Sequence, residues 1–245
     1  MSPPINNPSG DFLLNKRHNI MKKTLITALV ALLLGPAAVA QTITAQDSAI
    51  LNRIHSANKQ YRTLQNSFRH DLIKKNSTQQ RYGTLYVTKV KPAKKGDIEA
   101  NIAMIYSNPQ GEYYIINTAY LYNFIDGHKL KFNYRIVPLM KLLGNAMSWS
   151  MNGDIYSICN NLNTDFQMAT DAKHYIITLT VKKGHNKGIT KIILKYDKNT
   201  CLIDYMEMEE KLGLIHKYYM GLDSKGKTHK PLLNTPIDTK VYKLN

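Results

Sequence analysis

Acidic residues are scarce in this chain: 17 Asp and Glu stand against 33 Lys and Arg, so 245 residues carry a formal charge of +16. A field of that sign draws anions, nucleic acid and anionic lipid headgroups among them. Cysteine is scarcer still, with only Cys159 and Cys201. That excludes a disulfide-framework fold and leaves no cluster for a structural zinc. The two are read as unpaired, partly buried thiols, a disulfide being the alternative. Long apolar runs are missing too, since Leu25 to Leu34 is too short for a spanning helix, which needs about 20 residues. No GxSxG, HExxH or, after residue 40, GxGxxG occurs, and the eight histidines include no pair at helical metal spacing. These absences leave no catalytic, cofactor or metal assignment, so the chain is read as a non-enzyme.

One nucleotide-site pattern is present and is set aside. Gly221 to Thr228 matches the phosphate-binding loop letter for letter, but Pro231 and Pro236 follow at once. That loop works only where a helix opens directly behind it, so this one is read as a polar loop.

Residues 21–40 read as a secretory signal: Lys22 and Lys23, the apolar Leu25 to Leu34, then Ala38-Val39-Ala40 as the cleavage site. Residues 1–20, with Pro3, Pro4 and Pro8, read as a start-site extension, and 41–245 as a single domain. No cysteine follows the cleavage site, so the exported product is expected to be soluble and outside the cytoplasm. Residues 1–40 hold +3 of the charge, which leaves the exported part at +13. Its lysines are scattered, as in Lys129-Leu130-Lys131, where they alternate with apolar residues. They are read as a solvated face, and with export no nucleic-acid partner is expected.

Apolar spacing organises the domain. Ile50, Ile54, Ala57, Tyr61 and Leu64 recur every three or four residues, the stripe of an amphipathic helix with Asp47 as its cap. Thereafter the period is two. Phe68, His70 and Leu72 alternate with polar neighbours, Leu85 and Val87 follow in a run from Gly83, and Ile98 to Tyr106 stop before Asn108-Pro109. Tyr113 to Asn117 and Tyr120 to Ile125 lead to Asp126-Gly127, a strong hairpin signal. Leu130, Phe132 and Tyr134 alternate strictly with charged or polar residues. Pro138 then opens a helical run of Leu139, Leu142, Leu143, Ala146 and Met147, and a second short helix is expected from Asp154 to Leu162. Tyr175 to Val181, Ile192 to Tyr196, Leu202 to Met208, Leu212 to Met220 and Thr239 to Lys243 complete roughly eleven strand-like segments. The expected class is α+β: one large curved antiparallel sheet with helices covering its open mouth.

Tyrosine and methionine are plentiful, with 16 and 10 copies. They suit a surface with one wet and one dry side and packing that adapts to shape. The cavity lining is therefore assigned to Phe68, Leu85, Val87, Ile102, Met104 and Tyr106 of the early strands. Tyr114, Ile116, Tyr120 and Tyr122 extend it, with Leu139, Leu143 and Met147 from the helical run. Ile177, Leu179, Ile192, Leu194 and Met206 supply the rest. Asp204, among Ile203, Tyr205 and Met206, is read as a structural carboxylate.

Several stretches resemble the periplasmic carriers of outer-membrane lipoproteins, the LolA-like family. They are the first helix leading into Leu64-Gln-Asn-Ser-Phe68, the strand Gly83 to Lys89, and Pro109 followed by Tyr114 to Asn123. Ile192 to Asp197 with Leu202 to Met206, and the closing Ile237 to Tyr242, complete the set. Lys89 stands where the family has an arginine that helps to hold the lid, Val90 replaces a proline, and Thr118 a glycine. The resemblance implies an unclosed β-barrel with a helical lid, touched by Lys89. It further implies a monomeric carrier that takes acylated lipoproteins from an inner-membrane releasing transporter to an outer-membrane acceptor, without a cofactor. A half-barrel sensor or lipid-binding protein of the envelope-stress type is the alternative, and a secreted hydrolase a more distant one.

Overall fold

The computed structural model describes residues 43–91, 100–117, 120–133, 164–184 and 188–243. The proposed leader, the helical run from Pro138, the short helix from Asp154 and Cys159 lie outside them, as do Leu139, Leu143 and Met147.

Helix α1 (Ala45–Lys59) begins one turn earlier than its apolar stripe suggests. Thr44 is the N-cap: Asp47 N donates to Thr44 Oγ1 at 3.1 Å, and Thr44 N donates back to Asp47 Oδ2 at 3.2 Å. Asp47 is thus the reciprocal partner in a capping box rather than the cap. Leu51, Ile54 and Asn58 are the helix's buried residues, so the stripe includes Leu51 and ends before Tyr61 and Leu64, which lie beyond Lys59.

All the strands join one antiparallel sheet. They are β1 (Thr63–Lys74), β2 (Ser77–Lys89), β3 (Ala100–Asn108), β4 (Gln110–Ile116), β5 (Tyr120–Ile125) and β6 (His128–Asn133), then β7 (Thr164–Thr170), β8 (His174–Val181), β9 (Ile189–Asp197), β10 (Ile203–Glu210), β11 (Leu214–Met220) and β12 (Leu232–Leu233). Their order is β6-β5-β4-β3-β2-β1-β11-β10-β9-β8-β7. Two meanders therefore meet at β1 and β11, and among the described residues β6 and β7 remain unpaired edges. This is the expected unclosed curved sheet with a helix. Where β11 ends opposite Phe68, β12 takes over the edge of β1, pairing Leu64 with Leu233.

Three elements differ from expectation. β7 was not foreseen, because Phe166 and Met168 are its only large apolar residues. β2 starts at Ser77 rather than Gly83, its first turn being polar and exposed. Thr239–Tyr242 form a short 3-10 turn instead of a closing strand, since Asp238 caps Lys240 N.

Register fixes which side chains face inward. Phe68, Leu85, Met104, Ile192, Leu194 and Met206 share one face with Tyr218, as their pairings require. Curvature brings both meanders onto one cluster, in which Phe166, Ile177 and Leu179 join Ile102, Ile116 and Leu121. Gly83 permits the closest approach on this face: a Cβ there would stand 2.4 Å from the Ile105 carbonyl oxygen and 2.8 Å from Phe68 Cζ. The register of β2 against β3 also shifts beside it, between Tyr82 and Gly83.

Candidate functional site

The inward face is the candidate site, and its two ends differ in chemistry. Its middle is apolar, with Phe68, Val87, Met104, Ile177 and Leu194 at 0% exposure. Leu85, Ile102, Tyr106, Ile116, Leu179, Ile192 and Met206 are buried with them, and Tyr114 packs against the cluster half-buried.

At one end lies α1. Leu51 and Ile54 are its fully buried apolar residues, Ile50 and Ala57 pack partly buried against the same cluster, and polar contacts add to them. Arg53 Nη1 donates to the Tyr175 hydroxyl at 3.0 Å, and Arg53 Nη2 to the Lys198 carbonyl at 3.0 Å. Asn58 Nδ2 reaches the Cys201 carbonyl at 3.2 Å, and Tyr61 donates to Asn58 Oδ1 at 2.7 Å. Lys89 Nζ donates to the Asn58 carbonyl at the end of the helix and stands 4.1 Å from the Tyr61 ring centroid. Burial lowers the Lys89 pKa from 10.5 to about 8. The residue singled out as a lid contact thus touches α1.

At the opposite end is a buried polar cluster that the sequence reading missed. Arg81 is 1% exposed. It pairs with Glu112 and with Asp126 at 3.0 Å and donates to Gln79 Oε1 at 3.0 Å, while Asp126 N donates to Glu112 Oε1 at 2.8 Å. Two carboxylates around one guanidinium satisfy a charge that could not otherwise be buried. Beside it, His70 Nδ1 lies 2.9 Å from the Tyr106 hydroxyl and His70 Nε2 lies 3.1 Å from His216 Nδ1. His216 Nε2 in turn lies 3.1 Å from Glu210 Oε1. Burial first, then His216 and Arg81, push the His70 pKa down to about 2, so it is neutral at physiological pH. Burial also drives the Tyr106 and Tyr218 hydroxyls well above their ordinary value. These groups hold their protons and act as hydrogen-bonding structure. Among the described residues no group of three His, Cys, Asp or Glu side chains could hold a metal ion.

Tyr120 and Tyr122 depart from the assignment, standing on the outer face. Asn117 N donates to the Tyr120 carbonyl at 3.0 Å in the turn, and Leu121 then pairs with Ile116 and takes the inward position. The two rings lie beside Lys131, whose Nζ is 4.5 Å from one centroid and 5.4 Å from the other.

A polar groove of about 820 Å³ lies elsewhere, lined by Asn66, Lys173, His174, Lys195, Asp204, Tyr219 and His229 among others. Its charges pair internally: Lys173 Nζ and His174 Nε2 are each 3.3 Å from Asp204 Oδ2. Asp204 is therefore a surface ion-pair partner. Gly221 to Thr228 is a loop, as expected, with Asp223 Oδ1 accepting from Lys225 N and Lys227 N. Cys201 is a buried free thiol.

No protein-family model matches the sequence, and none of the curated proteins does. Solved structures are similar in fold. One is a putative outer membrane lipoprotein-sorting protein domain from Vibrio parahaemolyticus, with 11% identity, TM-score 0.41, and coverage of 79% of this chain and 94% of that one. A LolA superfamily protein from Nitrosomonas europaea has 11% identity, TM-score 0.38, and coverage of 83% and 99%. The MucA/MucB complex of Pseudomonas aeruginosa has 11% identity, TM-score 0.41, and coverage of 82% of this chain and 62% of that one. These likenesses are remote. No helix among the described residues is long and apolar enough to cross a membrane.

Proposed function

We propose that this chain is a soluble periplasmic carrier that shelters the acyl chains of lipoproteins against the inward face of its sheet. It takes them from a releasing transporter in the inner membrane, delivers them to an acceptor in the outer membrane, and makes or breaks no bond. The observation that carries this reading is the pairing of a broad apolar face with a single short helix at one end of it. The curl of the sheet buries that face, with Phe68, Val87, Met104, Ile177 and Leu194 at 0% exposure, so an acyl chain enters by parting this core where α1 closes one end. Leu51 and Ile54, with smaller shares from Ile50 and Ala57, contribute on the order of 4–8 kcal/mol to seating the helix. A ligand can displace a contact of that size: one 16-carbon chain left in water costs about 12 kcal/mol. The apolar face supplies shelter, and the movable helix supplies release.

The test is direct. The protein is purified from the periplasm and its bound acyl chains are measured by mass spectrometry, then it is incubated with inner-membrane vesicles carrying a tagged lipoprotein. The expected result is a soluble complex with the lipoprotein, weakened at least tenfold by Met104→Glu in protein that remains folded. Protein that arrives free of acyl chains and leaves the lipoprotein in the vesicles would end the carrier reading.

A further inference from the structure

The outer face of the first meander carries a pattern that the inward site does not use. Cross-strand register lines its side chains into two rows. Tyr86, Ala103, Ile115, Tyr122 and Lys131 stand opposite one another from β2 to β6. Thr84, Ile105, Tyr113, Phe124 and Lys129 form the second row. Apart from Thr84 each row is apolar or aromatic; Ala103 and Ile115 are buried, with the Thr239–Tyr242 turn packed on β3 and the Tyr242 hydroxyl 2.9 Å from Thr88 Oγ1, so the accessible part runs over β4–β6 and ends in exposed Lys129 and Lys131. Neither row contains a carboxylate. Lys131 lies against tyrosine rings and Tyr113 packs on Phe124 at 5.9 Å.

The outer face of the second meander is built otherwise. There Lys191 pairs with Glu209 at 3.2 Å and Lys217 with Glu207 at 3.5 Å. Lys195 there stands singly, 5.1 Å from the Tyr205 ring, whereas the edge of the first meander places Lys129 and Lys131 together without a carboxylate in their rows.

We infer that the outer face of β4–β6 docks on an anionic lipid bilayer, Tyr113, Tyr120, Tyr122 and Phe124 at headgroup level and Lys129 and Lys131 against lipid phosphates. Tyrosine is amphipathic in the way such a boundary requires, its ring favouring the apolar side and its hydroxyl the wet side. Lysine reaches past the rings with its charge in the headgroup layer. The complementary charge favours a bilayer. This docking does not depend on the inward face carrying acyl chains.

The experiment is vesicle sedimentation of the purified protein without cargo. Vesicles of phosphatidylcholine with about 30% phosphatidylglycerol are compared with pure phosphatidylcholine, since headgroup attraction is worth about 1 kcal/mol per lysine. The anionic vesicles bind, pure phosphatidylcholine binds at least tenfold less, and 0.5 M salt abolishes most of the difference. The double variant Lys129→Gln with Lys131→Gln loses about tenfold or more of the affinity. Lys191→Gln with Lys217→Gln, which removes the same net charge from the other half, binds as wild type. Circular dichroism and Tm confirm that both variants fold. Equal losses in the two variants would reduce the effect to net charge and overturn the assignment. So would absence of binding to anionic vesicles, or binding of a poly-Glu peptide with none to vesicles, which would make the face a peptide site.

Discussion

His70 couples its proton affinity to folding. It is 2% exposed, stacks on Tyr218 at 4.2 Å between ring centroids, and faces Tyr106, His216 and Arg81, with Glu210 behind His216. Its pKa falls from 6.5 to about 2 on folding. Below about pH 6.5 the unfolded chain takes up a proton that the folded chain refuses. The associated stability is therefore complete above that pH and lost as pH falls toward the folded value. The loss amounts to at most about 1.4 kcal/mol per pH unit. Asp171 and Asp223, whose hydrogen bonds hold them near 2, contribute mainly below about pH 5, and equally in both proteins, so the difference in slope between variant and wild type from pH 6 to 5 reports the histidine. Denaturant unfolding across that interval is expected to show a clearly shallower pH slope for His70→Gln than for wild type. Parallel slopes would mean that His70 is protonated in the folded protein. Neither this histidine's partners nor Arg81 could be found from the sequence. Arg81 stands in Gln79-Gln80-Arg81-Tyr82, where no apolar alternation marks a face, and only register against His70 turns it inward.

At the scale of elements, period-two alternation identified the inward residues of β2, β3, β8, β9 and β10, because each of those strands has one dry face. It failed where a turn resets the parity. The chain between Asn117 and Tyr120 makes Leu121 the inward residue of β5, which sends Tyr120 and Tyr122 outward although they are the larger apolar side chains. Helix α1 was legible from its stripe, but its fastening was not, since Tyr175 and Lys198 are more than a hundred residues from Arg53. Arg53→Ala removes both of those hydrogen bonds while leaving Leu51 and Ile54 seated. A partly exposed charge-assisted pair of this kind is worth about 1 kcal/mol. The α1 amides are expected to exchange with deuterium about fivefold faster in Arg53→Ala, with little change in strand amides or Tm. Uniform acceleration across the sheet would mean that the helix is an integral part of the core.

The whole molecule poses a question that its topology makes sharp. Each meander is built from neighbouring hairpins, and among the described residues the ladder joins them through β1, which pairs with β11 and, over two residues, with β12, so each could be imagined to melt alone. Side-chain packing argues against this. One buried cluster takes Ile102 and Ile116 from the first meander and Ile177, Leu179 and Leu194 from the second, with Met206 and Tyr218 beside the seam. Curling the sheet makes each half the other's apolar partner, so neither can shed water without its counterpart. Ile102→Ala and Leu194→Ala remove side chains that are 1% and 0% exposed, one from each half. Each is expected to lower stability by about 2–5 kcal/mol. More tellingly, each should displace a single transition in which far-ultraviolet circular dichroism and tyrosine fluorescence coincide during denaturant unfolding. If either variant instead split the curve into two steps, the halves would be separate folding units, and the inward face would be a seam between modules rather than one continuous core.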